Sequence, residues 1–327
     1  MKIFLIGCGS IGERHLKNLI SIKAGEIFCF DTNIDRLKEI SSKYKVDFFT
    51  DINEGFKQKP DLVLVCTPPS IHYDILKTAV EHDSNVFVEK PISNDLKGLD
   101  DLLKKATDKG LFVFVGYNLR FQRGIRFLKE KIDEGLLGRI FFVQAEFGQY
   151  LPDWRPWQDY TKSYTANKSL GGGIILDGSH EIDFVRWFIG DVSEVCCFAD
   201  KLSNLKVDVE DTAEILLRFD NGCFGSVHLD FVQKGYHRTC RVVGEKGSLF
   251  FDYPTGVIEF YKNDSDKPLI YDVKCDGNSM YLDEMKHVVN CLNGVETPLV
   301  DGYSGKRVLE IALAAKKSAL KAEVISL

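Results

Sequence analysis

The chain has 327 residues, 44% hydrophobic and 28% charged, which supports two domains with cores and excludes a disordered or fibrous protein. Its formal net charge of −6 excludes nucleic acid and an anionic membrane as main partners, since both need a basic face, and leaves room only for a local basic pocket. No apolar run reaches membrane-span length, no charged-then-apolar leader precedes the first strand, and nine cysteines are scattered without a CxxC pair; the expectation is a cytoplasmic protein with reduced thiols and no metal site.

Residues 3–6 are a continuous apolar run, as in a strand buried on both faces of a parallel sheet. Gly7-x-Gly9-x-x-Gly12 follows. Gly7 permits a tight turn, Gly9 the close approach of a pyrophosphate, and Gly12 close helix–strand packing. The phosphates are expected on the free N–H groups of Ser10, Ile11 and Gly12, where a helix begins. A second apolar run, residues 27–30, ends in Asp31, nineteen residues after Gly12. An acid there accepts hydrogen bonds from the adenosine ribose hydroxyls and repels a 2′-phosphate, favouring NAD(H) over NADP(H). Two alternatives stay open: a glycine turn of another α/β protein with Asp31 capping the next helix, and an Arg36 turned toward a 2′-phosphate, which would admit NADP.

Residues 33–44 are predicted helical, 46–49 a short strand, and 51–54 the start of a short helix. The run 61–66 is the most strand-like in the chain. It stops at Thr67-Pro68-Pro69-Ser70, with Ser70 placed to cap a helix over 71–82. The strand 85–88 runs into Glu89-Lys90-Pro91, and Ser93 is expected to cap a helix to about Lys109. The strand 111–115 and the turn Gly116-Tyr117-Asn118 follow. This alternation implies a doubly wound parallel sheet, an NAD-binding domain over 1–120.

From 121 the texture changes. A helix over 121–134 and a long strand over 139–147 precede an aromatic, irregular stretch at 151–160. Gly171-Gly172-Gly173 precedes a helix over 176–189. Strand-like runs then follow at 192–200, 212–219, 223–231, 238–243, 248–251 and 257–261, with a hairpin signal at Asn221-Gly222. Helices at 279–292 and 302–320 close the chain. The second domain, 121–327, is expected to be α+β on a large, mostly antiparallel open sheet.

Ligands of open parallel sheets bind beyond the carboxyl ends of the strands, where Thr67-Pro68 and Glu89-Lys90-Pro91 fall. Partial burial and a neighbouring oxidised nicotinamide would lower the pKa of Lys90 and suit it to exchange a proton with a substrate hydroxyl. The bland alternative is a surface lysine opening a loop. In the second half, Asp177, His180 and Asp183 are spaced three apart and can share a helix face. The helix N-terminus favours neutral imidazole while the flanking acids oppose it. The alternative is Asp177 as a cap and His180 as a core histidine beside Trp187. The stretch 150–164 offers Trp154, Arg155, Trp157, Tyr160, Lys162 and Tyr164, which suits a sugar ring with an anionic group, or else a loop packed on an interface. Asn118 and Arg120 are further candidates for substrate contact.

Taken in order, Gly7-x-Gly9-x-x-Gly12, Thr67-Pro68, Glu89-Lys90-Pro91, Gly116-Tyr117-Asn118 and the stretch 171–190 resemble the Gfo/Idh/MocA oxidoreductase family. The resemblance spans essentially the whole chain. It implies an N-terminal Rossmann domain and a C-terminal α/β domain whose open sheet makes a homodimer or homotetramer. It implies hydride transfer between a nicotinamide cofactor and a hydroxyl carbon of a sugar, sugar acid, cyclitol or nucleotide sugar. Lys90 and His180 match the pair handling the proton, with Lys90 favoured as the base, and Asp177 matches the aspartate preceding the histidine. His72 matches a histidine that often follows Thr-Pro. The family often spaces the acid and the histidine four apart, whereas here they are three apart. In this, and in Trp154-Arg155-Pro156 and Asp159-Tyr160-Thr161-Lys162-Ser163-Tyr164, the chain resembles a subgroup associated with surface-polysaccharide gene clusters. A non-catalytic NAD- and sugar-binding sensor on the same fold is the alternative function; retention of Lys90 and His180 argues against it. An enzyme reducing an imine or a ring double bond shares the cofactor residues.

Overall fold

The apolar runs of the first 116 residues become six parallel strands: β1 (Lys2–Ile6), β2 (Glu26–Phe30), β3 (Asp47–Phe49), β4 (Leu62–Val65), β5 (Asn85–Glu89) and β6 (Val113–Gly116). They lie in the order β3-β2-β1-β4-β5-β6, the doubly wound arrangement that the alternation predicts. The central strands are buried on both faces, so helices must cover each side. These are α1 (Ser10–Ser21), α2 (Ile34–Tyr44), α3 (Ile52–Lys57), α4 (His72–Glu81) and α5 (Leu99–Asp108). Because the strands are parallel, Gly7, Thr67, Lys90 and Tyr117 all emerge at the carboxyl end of the sheet.

Two helix starts differ from expectation. Pro69–Ile71 form a 3₁₀ turn, and α4 begins at His72 with no side-chain cap. The helix expected from Ser93 begins only at Leu99, after Gly98 in the left-handed region at φ 74°. Ser93 Oγ instead accepts the N–H of Asp95 at 3.4 Å, a local bond that competes with helix propagation.

The structure is a computed structural model describing residues 1–327, which divide into two compact units. One comprises Met1–Asn118 with Asn278–Arg307, the other Leu119–Gly277 with Val308–Leu327. In the second unit α6 (Arg123–Asp133), β7 (Ile140–Gly148), α7 (Leu151–Trp154), α8 (Ile174–Asp177) and α9 (Ser179–Ile189) precede β8 (Val192–Asp200), β9 (Thr212–Phe219) and β10 (Phe224–Asp230). β11 (His237–Gly244), β12 (Gly247–Asp252), β13 (Val257–Lys262) and β14 (Leu269–Asp272) complete the run. The last helices are α10 (Ser279–Leu292) and α11 (Gly302–Lys321), and β15 (Ile325–Ser326) ends the chain. Nine strands form one sheet in the order β14-β13-β12-β11-β7-β10-β9-β8-β15. All its pairs are antiparallel except β7 with β10.

The alternation along β9 shows how this sheet is used. Ala213, Ile215 and Leu217 point into the core, while Glu214, Leu216 and Arg218 face solvent. α9 packs on β7 and β10 through its own apolar side chains, among them Ile182 and Val185. The opposite face stays open, with Phe198 76%, Leu216 55% and Phe224 53% exposed among charged pairs such as Arg218–Glu194.

On that face His228 sits between Asp230, 3.1 Å from Nε2, and Glu214, 2.6 Å from Nδ1. The Asp230 bond first, against the desolvation that opposes it, and then Glu214 raise its pKa from 6.5 to about 9. A raised histidine pKa stabilises the fold fully below 6.5, and that stabilisation is lost as pH rises through about 9. His228→Ala is therefore expected to lower urea-unfolding stability at pH 6, with the deficit closing by pH 10. A deficit independent of pH would refute the charged role.

The chain then returns to its first unit, a step absent from a division at residue 120. Asn278 Nδ2 donates to Asn18 Oδ1 at 2.9 Å, and α10 packs along α1. His287 meets the Phe114 ring edge-on at 5.8 Å, and the Val115 N–H donates to Val300 O at 3.0 Å. The apolar stripe of α10 needs a partner, and sequence periodicity does not say which element provides it.

Candidate active site

Gly7 has φ +94°, and a Cβ there would lie 2.6 Å from Cys66 O, so only glycine makes this turn. A Cβ on Gly12 would lie 2.0 Å from Gly7 O, so the helix can approach the strand this closely only without one. Gly9 is different: nothing lies within 4 Å of where its Cβ would be. The turn therefore leaves open room where a pyrophosphate is expected. Glu13 N–H to Gly9 O is the first bond of α1, and no side chain caps the helix. The N–H groups of Ser10, Ile11 and Gly12 are thus left for an anion.

Asp31 stands at the end of β2. Its Oδ2 accepts the Cys8 N–H at 2.7 Å and its Oδ1 the Asn33 N–H at 2.8 Å, which fixes the carboxylate beside the turn. The next helix is capped by Asn33, not Asp31. Arg36 is held away from any free role. Its Nε donates to Cys8 O at 2.8 Å and its guanidinium pairs with Glu13 and Glu39. Burial works against the Glu13 charge, yet hydrogen bonds from Lys43, Tyr44 and Arg36 bring its pKa down to about 2. Arg36 buttresses the turn in this arrangement instead of reaching outward. The open space at Gly9, the uncapped helix and a buried Thr67 Oγ1 without a partner together fit a dinucleotide.

Beyond β4 and β5, fully buried His72 bridges two loops. Its Nε2 lies 2.8 Å from Thr67 O and its Nδ1 2.8 Å from Pro91 O. Burial pushes its pKa down against the two carbonyls, which favour the cation. His72 is therefore a brace joining Thr67-Pro68 to Glu89-Lys90-Pro91. Glu89 Oε1 meets His15 Nε2 at 2.6 Å, and Glu89 Oε2 accepts the Lys90 N–H at 3.3 Å. Lys90 itself is half-buried. Sequence reasoning missed His15; its signal was a histidine three residues past Gly12, on the buried face of α1.

The second unit gathers its own group. Asp177 and His180 do not share one continuous helix: the chain breaks at Gly178, so Asp177 ends α8 and His180 lies in the first turn of α9. A Cβ on Gly178 would lie 2.8 Å from Leu229 and 2.9 Å from Ile174 O, so the break packs tightly against β10. Asp177 Oδ1 accepts the Tyr164 hydroxyl at 3.0 Å and Oδ2 the Thr165 hydroxyl at 2.6 Å. Thr165 also borders a small, open surface hollow with Trp154, Arg155, Tyr160 and Ser163. Trp154 forms its wall, with Nε1 donating to Gln149 O at 2.9 Å and the ring packed on Phe147 and Phe231. Trp157 projects outward, 76% exposed.

Arg120 is tied into its own unit. Its Nε and Nη2 reach Asp183 Oδ2 and Oδ1 at 2.9 and 2.7 Å, with both side chains buried. The guanidinium lies 5.1 Å from the Trp187 ring centroid. Asp183, a candidate neighbour of His180, is thereby engaged in anchoring α9. Asn118 is 4% exposed and opens the 3₁₀ turn Asn118–Phe121.

A parallel sheet in this strand order, with a phosphate-type turn at its first strand and a lysine and an acid near strand ends, defines a dinucleotide-dependent oxidoreductase class. Residues 1–117 match the oxidoreductase family with an NAD-binding Rossmann fold, and residues 125–250 match the GFO/IDH/MocA C-terminal domain. The chain is 31% identical over 334 residues to myo-inositol 2-dehydrogenase of Thermotoga maritima, covering 97% of this chain and 96% of that one. It is 25% identical over 326 residues to scyllo-inositol 2-dehydrogenase (NAD(+)) of Bacillus subtilis, covering 96% and 92%. Levoglucosan dehydrogenase, solved in complex with NADH and levoglucosan, superposes with a TM-score of 0.88 at 20% identity, covering 100% of this chain and 99% of that one. The chain belongs to the GFO/IDH/MocA family of NAD-binding oxidoreductases. No helix is long and apolar enough to cross a membrane.

Proposed function

We propose that the protein is an NAD-dependent dehydrogenase of a secondary alcohol on a cyclitol or closely related sugar. The observation that carries this reading is the near full-length likeness to an inositol 2-dehydrogenase at 31% identity. The N–H groups of Ser10, Ile11 and Gly12 would hold the pyrophosphate over Gly9, and Asp31 the adenosine ribose. Thr67 and Pro68 would border the same ligand. When bound, the nicotinamide supplies the hydride acceptor or donor.

In the oxidative direction neutral Lys90 Nζ takes the hydroxyl proton as the carbinol hydrogen leaves as hydride, and the C–O bond becomes a carbonyl. His180 orients the hydroxyl. Asp177, held by Tyr164 and Thr165, would take the part of the aspartate that precedes the family's histidine. A homo-oligomer built on the open sheet face is the matching assembly, because Phe198, Leu216 and Phe224 are exposed there on three neighbouring strands.

The test is NADH formation with inositol isomers, levoglucosan, sugar acids and nucleotide sugars. At least one polyol is expected to turn over, with kcat/KM at least about tenfold lower for NADP⁺, because Asp31 repels a 2′-phosphate and Arg36 is engaged. Tight NADH binding with no turnover on any polyol would overturn the assignment.

A further inference from the structure

α10 buries Met280, Glu284, Met285, Val288 and Cys291, so Glu284 lies within the apolar stripe of the helix. It has no solvent exposure, and neither carboxyl oxygen has a hydrogen-bond donor. An ionised carboxylate in such a place is strongly disfavoured. Burial first, then the neighbouring Glu89 charge, push its pKa well above the ordinary carboxyl range.

The groups around it belong to the cofactor half of the protein. Glu89, at the end of β5, is close enough for its charge to act on Glu284, and Cys66, just beyond β4, feels both carboxyls. Fully buried His15 reaches the same Glu89 from α1, and its Nδ1 has no partner. Tyr281, one turn earlier on α10, lies 6.1 Å from the His15 ring and beneath Arg14. His287, one turn later, pairs with Glu296. Lys90 follows Glu89 directly. Cys66 also abuts the glycine turn: its carbonyl and its Cβ are what side chains on Gly7 and Gly12 would strike. Cys66 thus links the cluster to the dinucleotide turn.

We propose that Glu284, buried beside Glu89 and His15, holds a proton that makes the protein's preference between NAD⁺ and NADH depend on pH. The two cofactor forms differ by one positive charge on the nicotinamide, and a buried carboxyl linked to the turn responds to that charge. The oxidised form favours loss of the Glu284 proton; the reduced form favours its retention. Glu284 is therefore a positioning residue for charge, acting through Glu89 and not by touching substrate. The inference rests on the cofactor site proposed above. It does not need Lys90 to be the base.

Dissociation constants for NAD⁺ and NADH, measured calorimetrically from pH 6 to 9, test it in wild type, Lys90→Met, Glu284→Gln and Glu284→Met. In wild type the ratio Kd(NAD⁺)/Kd(NADH) is expected to fall several-fold per pH unit, about tenfold being the ceiling for one linked proton. Lys90→Met should keep part of that slope, and both Glu284 variants should lose that part while still folding and binding NADH. Glu284→Met is the second variant because it matches the apolar neighbours on α10. A wild-type slope retained in both Glu284 variants, a flat wild-type ratio, or loss of the fold in both variants overturns the proposal. A flat Lys90→Met ratio assigns the linkage to Lys90 alone and also overturns it. A full slope in Lys90→Met with a flat one in the Glu284 variants supports the cluster and counts against Lys90 as the titrating base.

Discussion

Lys90→Met is expected to lower kcat by about 10² to 10⁴, the range that a positioned general base contributes, while leaving NADH affinity within about threefold of wild type. The selectivity follows from how the loop is held. His72 ties Pro91 to Thr67, and His15 with Glu89 fixes the strand end before the lysine. These bonds run through His72, His15 and Glu89, and they should persist when the Lys90 amine is removed. Steady-state turnover on whichever polyol is active, with NADH titration by fluorescence, separates the outcomes. Full turnover in the variant would remove Lys90 from the chemistry; loss of NADH binding would make it a cofactor contact instead.

The second large effect is expected at Asp183. Replacing it by alanine leaves the Arg120 guanidinium buried without its bidentate partner, which costs about 3–5 kcal/mol for a pair this enclosed. His180 is one turn before Asp183 on α9, so loosening this anchor should also reduce turnover. An Arg120→Met, Asp183→Leu double variant should recover most of the stability, because an apolar pair of similar volume avoids the uncompensated charge. Urea midpoints for the single and double variants decide the matter. A loss below about 1 kcal/mol in Asp183→Ala would place the pair in a far more solvated setting than its burial implies.

The Rossmann half was legible because its signals are local. Continuous apolar runs gave the strands, and Gly7, Gly9 and Gly12 fixed the turn that the geometry requires. Boundaries slipped where short-range bonds compete with a helix, as at Ser93 and after Pro69. In the second unit the β9 alternation is plain in sequence, but the parallel pairing of β7 with β10 is not, since register between distant strands leaves no local trace. Gly178 was read as part of a helix because a single glycine inside a helical pattern is often tolerated; here it separates Asp177 from His180. Arg120 reads in sequence as a substrate contact and Asp183 as a neighbour of His180, until the fold brings the two, 63 residues apart, together. Glu284 was hidden for the same reason, as a charged residue on an otherwise ordinary amphipathic helix.

The most direct test of the central claim is transfer of a labelled hydrogen. The protein is incubated with NAD⁺ and the active polyol carrying deuterium on the reacting carbinol carbon, and the NADH formed is examined by proton NMR. The account predicts one deuterium at C4 of the nicotinamide on a single face, and a ketone on the polyol. Turnover that leaves C4 without deuterium would contradict direct hydride transfer.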